Sequence, residues 1–519
     1  LVALLQCDPA GRQAFRLLAD QPRFLHYGPG DYLAMNLAAR TFVSALTLLA
    51  ITTSAPLAVA QQATAEAKTA TTLSLATIFS DHMVLQRDIK LPVWGHAAPG
   101  AKVEVQLAGT TKEATADKDG KWSVTFSPLK AGGGPLELSV KSGDQTVHMT
   151  DILVGDVWVA SGQSNMEWPI TASDNPESEL AAADWPEIRF VDVPNVTSDK
   201  PLDSFKSAGW QPCKPENIGS FSAVAYFFAR DLHKELNVPI GLIGCNWGGT
   251  PMEAWTSREA LESSDTFKPA LEAADKEPQT DEEKQNRKNL ASHQPAALFN
   301  GMLSAVIPYG IRGAIWYQGE SNAGRHDQYA ELSKLMIADW RNRWGQGEFP
   351  FLLVQLAAFE PGGDTWPFLR EAQTDTLESP NVGMAVTTDI GDQKDIHPRN
   401  KQDVGKRLAL AARKIAHGED IVYSGPMYKE LKVADGKAHV TFDHVGGGLK
   451  ADGAVKGFEV AGEDGKFVPA NAVIEGSEVI VSADGVSEPT MVRYNWAAFP
   501  DGNLFNAEGL PAAPFRSKK

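Results

Sequence analysis

With 519 residues, 43% of them hydrophobic and 13 of them tryptophan, the chain can bury cores for roughly two to four domains. A formal charge of −17, with no basic run, excludes nucleic acid and anionic membrane surfaces as partners and reads most simply as solubility.

In chain order, Met35 opens a short segment ending in Arg40, followed by an apolar stretch over 41–55 and by Pro56-Leu57-Ala58-Val59-Ala60. These are the charged, apolar and small-residue regions of a signal peptide, with cleavage expected after Ala60. Residues 1–34 then read as an upstream, non-native extension, 35–60 as the signal peptide and 61–73 as a flexible leader, and the expected location is periplasmic or secreted. An uncleaved membrane anchor is the rival reading, but its apolar core falls short of the roughly 20 residues a span needs. Of the three cysteines, Cys213 and Cys245 follow the cleavage point. They could pair in an oxidising compartment, or Cys245, at the end of an apolar run, could be a buried thiol.

Residues 74–154 carry short runs (91–95, 101–107, 121–126, 136–140), several alternating apolar with polar, cut by turns such as Pro99-Gly100. They predict a small antiparallel β-sandwich. Over 155–418 strands alternate with helices: strands at 157–160, 238–245, 310–317, 349–356 and 382–386, helices at 222–236, 300–307 and 329–344. This predicts a mostly parallel sheet wrapped by helices. The charged stretch 257–289, with Pro269 and Pro278, reads as an exposed helical insertion. From 419 to 519 the β texture returns (440–442, 458–460, 479–481) and predicts a second sandwich-like module.

The candidate chemistry lies in four segments after strands of the middle domain. Ser164 follows the apolar run 157–160, and Gly162 permits the sharp turn that would leave it at the strand's carboxyl end, where open α/β sheets bind ligands. A serine hydroxyl needs a base to take its proton, a group to orient that base, and donors for the developing oxyanion. Gly248 and Gly249 follow the strand ending at Cys245 and could expose a backbone N–H. Gln318, Glu320 and Asn322 follow the strand ending at Tyr317, where an amide could donate and a carboxylate orient. Among 11 histidines, His397 lies in an Asp-rich loop late in the α/β region, with Asp395 two positions away. Asp389, Asp392, Asp395 and His397 also form a rival metal-ligand set, ranked lower because no further His/Glu pair stands at ligand spacing.

Together these segments resemble the sialate O-acetylesterase family, a branch of the SGNH hydrolases that includes polysaccharide acetylesterases. The resemblance rests on Ser161-Gly162-Gln163-Ser164-Asn165-Met166, Asn246-Trp247-Gly248-Gly249-Thr250, Trp316-Tyr317-Gln318-Gly319-Glu320-Ser321-Asn322 and Asp395-Ile396-His397-Pro398-Arg399-Asn400-Lys401. It extends to 79–87 and 506–516. It implies a three-layer α/β/α domain, Ser164 as nucleophile, His397 as base, and an oxyanion hole from Ser164 N–H, an amide of Gly248 or Gly249, and the Gln318 side chain. Asp395 is the acid by proximity, with Asp392 or Glu320 as alternatives. The implied activity is hydrolysis of acetyl esters on an acetylated carbohydrate, with no cofactor and no metal.

Two other classes stand beside this reading. Glu320 and Asp395 could serve as paired carboxylates of a glycoside hydrolase. Trp168, Trp247, Trp255 and Trp316, near the motifs, could instead belong to a non-catalytic carbohydrate-binding protein.

Overall fold

The apolar run before Ser164 is the end of one long strand, β1 (Gln145–Gly162), in the computed structural model, which describes residues 72–517. The upstream extension, the signal peptide and most of the leader expected from the sequence lie outside the described residues. The first seven residues of β1 are exposed or half-buried, and every residue from Ile152 to Gly162 is buried. Composition changes at the same point, from polar alternation at 145–151 to Ile152-Leu153-Val154, as expected for a strand passing from a sheet with one wet face to one covered on both.

The first half of β1 pairs antiparallel with Leu136–Ser142, which pairs in turn with Lys102–Leu107. Ser74–Leu75, Leu91–His96 and Lys121–Phe126 form a separate three-stranded sheet. Lys102–Leu107 and Lys121–Phe126 bury every second residue, which follows from their alternating sequences.

The second half of β1 sits in the middle of a larger sheet. Its companions are β2 (Trp185–Asp192), β3 (Ile240–Asn246), β4 (Gly313–Tyr317), β5 (Phe351–Val354) and β6 (Val382–Ala385), in the order β2-β3-β1-β4-β5-β6 with every neighbour parallel. The short strand Gln211–Cys213 adds antiparallel to β2, so the sheet is mixed. The chain leaves β1 to build one side and then returns to build the other, which opens a crevice at the carboxyl end of β1. Alternate strand residues enter different apolar clusters: Val157, Val159, Trp316 and Leu353 one, Trp158, Ala160, Tyr317 and Val354 the other. Buried side chains of this size contribute about 1.5–3 kcal/mol each.

The main helices are α1 (Ser164–Glu167), α2 (Ala223–Leu236), α3 (His326–Trp344), α4 (Thr365–Asp375) and α5 (Lys401–His417). Ser222 caps α2 by accepting from Ala225 N–H, and Asn400 caps α5 by accepting from Asp403 N–H. The helix expected over 300–307 is instead a turn of helix at Ala297–Gly301 and a separate 3₁₀ turn at Leu303–Ala305. Gly301 lies so close to the Val196 carbonyl that a side chain there would collide with it. The charged insertion forms three short helices, Arg258–Glu262, Lys268–Asp275 and Asp281–Asn289.

Beyond α5, two four-stranded sheets and a two-stranded one enclose a third apolar cluster around Val440, Val460, Val481 and Phe515. Arg370 of α4, fully buried, fastens this module: it donates to the carbonyls of Leu356 and Ala357 on one side and of Ala497 and Ala498 on the other. Cys213 and Cys245 are both buried free thiols. Among the described residues no helix is long and apolar enough to cross a membrane.

Where β1 enters the large sheet, Asp156 is fully buried and meets basic side chains from three segments. Arg87 of the N-terminal module binds both its oxygens at 2.9 and 2.8 Å, Arg312 approaches at 3.0 Å and His417 of α5 at 3.4 Å. Burial pushes its carboxyl up, but the bonds from Arg87 and the charge of Arg312 outweigh this and hold it below the usual carboxylate value. Replacing Arg87 by Ala is expected to cost about 3 kcal/mol of stability at pH 7, read by urea unfolding. A carboxyl held low stabilises the fold above the unfolded value near pH 4 and loses that contribution as pH falls through its folded value, so the gap between wild type and variant should close in acid.

Candidate active site

Ser164 is the first residue of α1, directly beyond β1. Gly162 makes the turn with φ +136°, and a side chain there would collide with the Tyr317 carbonyl of β4. Only glycine meets both conditions. The Tyr317 carbonyl also accepts from Gln163 N–H at 3.0 Å, which pins the turn to the neighbouring strand.

His397 arrives from the loop between β6 and α5. Its Nε2 lies 2.8 Å from Ser164 Oγ, a distance that allows proton transfer. Trp168 stacks on the imidazole with ring centroids 4.7 Å apart at 15°, and its indole N–H donates to the Ala172 carbonyl. Asp395 Oδ1 lies 3.6 Å from His397 Nδ1 and accepts from His397 N–H at 2.9 Å. Burial lowers the imidazole's proton affinity, Asp395 opposes this and Lys401 reinforces it, so the ring sits below its usual value. The other two candidate acids point elsewhere. Asp392 accepts from the amides of Lys394 and Asp395, and Glu320 accepts from Asn165 Nδ2 at 2.7 Å.

Asn165, beside the serine, joins the two halves of the site. Its Nδ2 also donates to the Ile396 carbonyl at 3.0 Å, one residue before His397, and its Oδ1 accepts from Lys401 Nζ at 2.5 Å. Lys401 is fully buried, with its ammonium over the rings of Tyr317 and Trp168. Burial pushes the amine down to about 7 against the attraction of Glu320 and Asp395. Burial likewise raises the Glu320 carboxyl, against the bond from Asn165 and the charge of Lys401.

The expected oxyanion donors differ in their engagements. Gly248 N–H donates to Glu167 Oε2 at 2.6 Å. The Gln318 carboxamide is buried, and its Nε2 donates to Asn322 Oδ1 at 2.7 Å and to the Thr250 carbonyl at 3.2 Å, which uses both its protons. Asn322 also holds Met252 N–H and Glu253, so this cluster ties the loops after β3 and β4 together. Among the described residues no hydrogen bond engages the N–H of Ser164 or of Gly249, and Gly249 is exposed with φ +74°.

The rival metal set does not come together: Asp389 is clamped by both Arg407 Nη atoms at 2.7 and 2.6 Å, and Asp392 is occupied by amides. Among the described residues no group of three or more His, Cys, Asp or Glu is placed to hold a metal. Of the four tryptophans, Trp255 and Trp316 are fully buried core residues, Trp247 is half-buried, and Trp168 meets the histidine. Sequence reasoning missed the linking role of Asn165 and Lys401, although both stand inside the quoted motifs, because only the fold sets an amide between a serine turn and a distant helix start.

The carbohydrate esterase, sialic acid-specific acetylesterase family matches residues 154–414. Human sialate O-acetylesterase is 31% identical over 85% of this chain and 91% of its own, and the Mus musculus enzyme is 30% identical over 85% and 93%. The chain belongs to the sialate O-acetylesterase family. A crystal structure of a carbohydrate acetylesterase from Xanthomonas citri superposes with a TM-score of 0.78 at 40% identity, covering 86% of this chain and 99% of that one. The protein is a carboxylic ester hydrolase.

Two outcomes follow from these contacts. Because the imidazole is shifted down, its neutral, basic form persists further into acid, and the acidic limb of kcat/KM against pH is expected below about 6.5; a limb above that value would contradict the burial argument. Lys401→Met, which removes the bond to Asn165, is expected to lower kcat about tenfold or more with little change in KM, measured by steady-state kinetics.

Proposed function

We propose that this chain is an exported carbohydrate O-acetylesterase that hydrolyses acetyl esters on sugars of sialate or plant-polysaccharide type. On this reading residues 155–418 form a three-layer SGNH-type catalytic domain between modules 74–154 and 419–519, and the signal-like segment 35–60 directs the protein to the periplasm or outside. The contact that carries the mechanism is the 2.8 Å approach of His397 Nε2 to Ser164 Oγ.

His397 takes the serine proton as Oγ attacks the acetyl carbonyl. Asp395, on the Nδ1 side, stabilises the imidazolium. The negative oxygen is received by Ser164 N–H and Gly249 N–H, the expected donors that make no hydrogen bond among the described residues, while Gln318 and the Gly248 amide shape the loops around them. The tetrahedral intermediate expels the sugar alkoxide, which collects the proton from His397, and leaves an acetyl-enzyme. Water, deprotonated by His397, then releases acetate and restores the serine. The names carried by the human and Xanthomonas citri proteins support acetylated sugars as the substrate class.

Ser164→Ala and His397→Ala should each lower kcat/KM on 4-nitrophenyl acetate by at least about a thousandfold, and Asp395→Asn by about ten- to a hundredfold. Full activity in either of the first two variants would end this reading. Acetate release from acetylated sialic acids, xylan and pectin identifies the sugar.

A further inference from the structure

Residues of the C-terminal module and of the α/β domain line an open groove of about 640 Å³. Phe368 of α4 and Trp496 and Phe499 of the C-terminal module form its apolar wall, and Glu360, Gln393 and Arg493 are among its polar groups. We propose that this groove is a subsite for further sugar residues of a neutral oligosaccharide whose acetyl ester lies at Ser164; the inference rests on the esterase reading above.

The groove's rim includes Gln393, from the same loop as His397. Gln393 stands four residues before His397, so the backbone between them spans at most about 14 Å, within reach of a short oligosaccharide. That rim is fixed: the Gln393 carbonyl accepts from Glu360 N–H at 3.1 Å and its side-chain amide donates to Glu360 Oε2 at 2.9 Å. The floor is fixed too, by Phe359 N–H on the Ala498 carbonyl and by the Arg370 clamp on Ala497 and Ala498. The wall is therefore presented rigidly beside the catalytic loop.

Its chemistry suits pyranose rings. Phe368 and Trp496 meet edge to face, centroids 5.3 Å apart at 85°, and Arg516, itself held by Glu371, lies 5.0 Å from each ring. Phe499 is 41% exposed, where a simple seam between modules would bury it. Flat apolar rings pack on the C–H faces of a sugar, while carboxylate and amide groups at the edge take its hydroxyls. Charge selects a neutral ligand. Arg493, the cation lining the groove, is committed to both oxygens of Glu459 at 2.6 and 3.0 Å, and Glu360 brings negative charge. A sugar carboxylate would find no free partner in it.

The test is binding to Ser164→Ala protein, by calorimetry, of xylohexaose, cellohexaose, mannohexaose and sialyllactose. At least one neutral hexaose is expected to bind, and Phe499→Ala or Trp496→Ala in the same protein should weaken it about tenfold. In the otherwise wild-type enzyme the same two substitutions should leave turnover of 4-nitrophenyl acetate unchanged. The proposal is overturned if no neutral hexaose binds, if binding survives both substitutions, or if sialyllactose binds with the same dependence on Trp496. Failure of the esterase reading shows separately, as wild-type protein inert on 4-nitrophenyl acetate.

Discussion

The turn at Gly162 is the constraint on which the site depends. A positive φ and the closeness of the Tyr317 carbonyl both demand a residue without a side chain, and the turn they permit places Ser164 beyond the last pleat of β1. Because β1 is the middle strand, with β3 on one side and β4 on the other, the loops that follow both neighbours necessarily frame the serine. The topology thus supplies the Gly248-Gly249 loop, the Gln318 loop and, from the outer strand β6, the histidine.

Asn165 turns that convergence into a fixed distance. One carboxamide uses donor and acceptor to join the serine turn, the histidine loop, the β4 loop through Glu320 and the start of α5 through Lys401. The Asn165 carboxamide itself is buried, where an unpaired polar group would cost about 1–3 kcal/mol. The Ser164–His397 contact is thereby set by groups on four separate segments.

Much of this was legible before any coordinates. Ser164 and His397 stand after apolar runs, and polar groups placed in the loops that follow buried strands are a local pattern. The alternation of β and α segments likewise follows from periodicity, and the strands over 121–126 and 458–460 emerge close to where their alternation puts them. What could not be read were choices made by partners distant in sequence. Gln318 has the composition of an oxyanion donor, but its protons go to Thr250 and Asn322. The 300–307 segment has helical periodicity, but the close approach of Gly301 to Val196 interrupts it. The continuity of β1 across two modules was hidden because its polar half and its apolar half, taken separately, look like different strands.

The two flanking modules are attached by different chemistry. On the N-terminal side the junction is ionic: Arg87 with Asp156, and Arg189 with Asp151. On the C-terminal side Arg370 binds four backbone carbonyls, which carry no titratable proton. Arg516 adds one ion pair with Glu371 on that side, so acid has a lever on both seams, yet the four Arg370 bonds have no acceptor to protonate and keep the C-terminal module tied to α4 when the carboxylates are neutral.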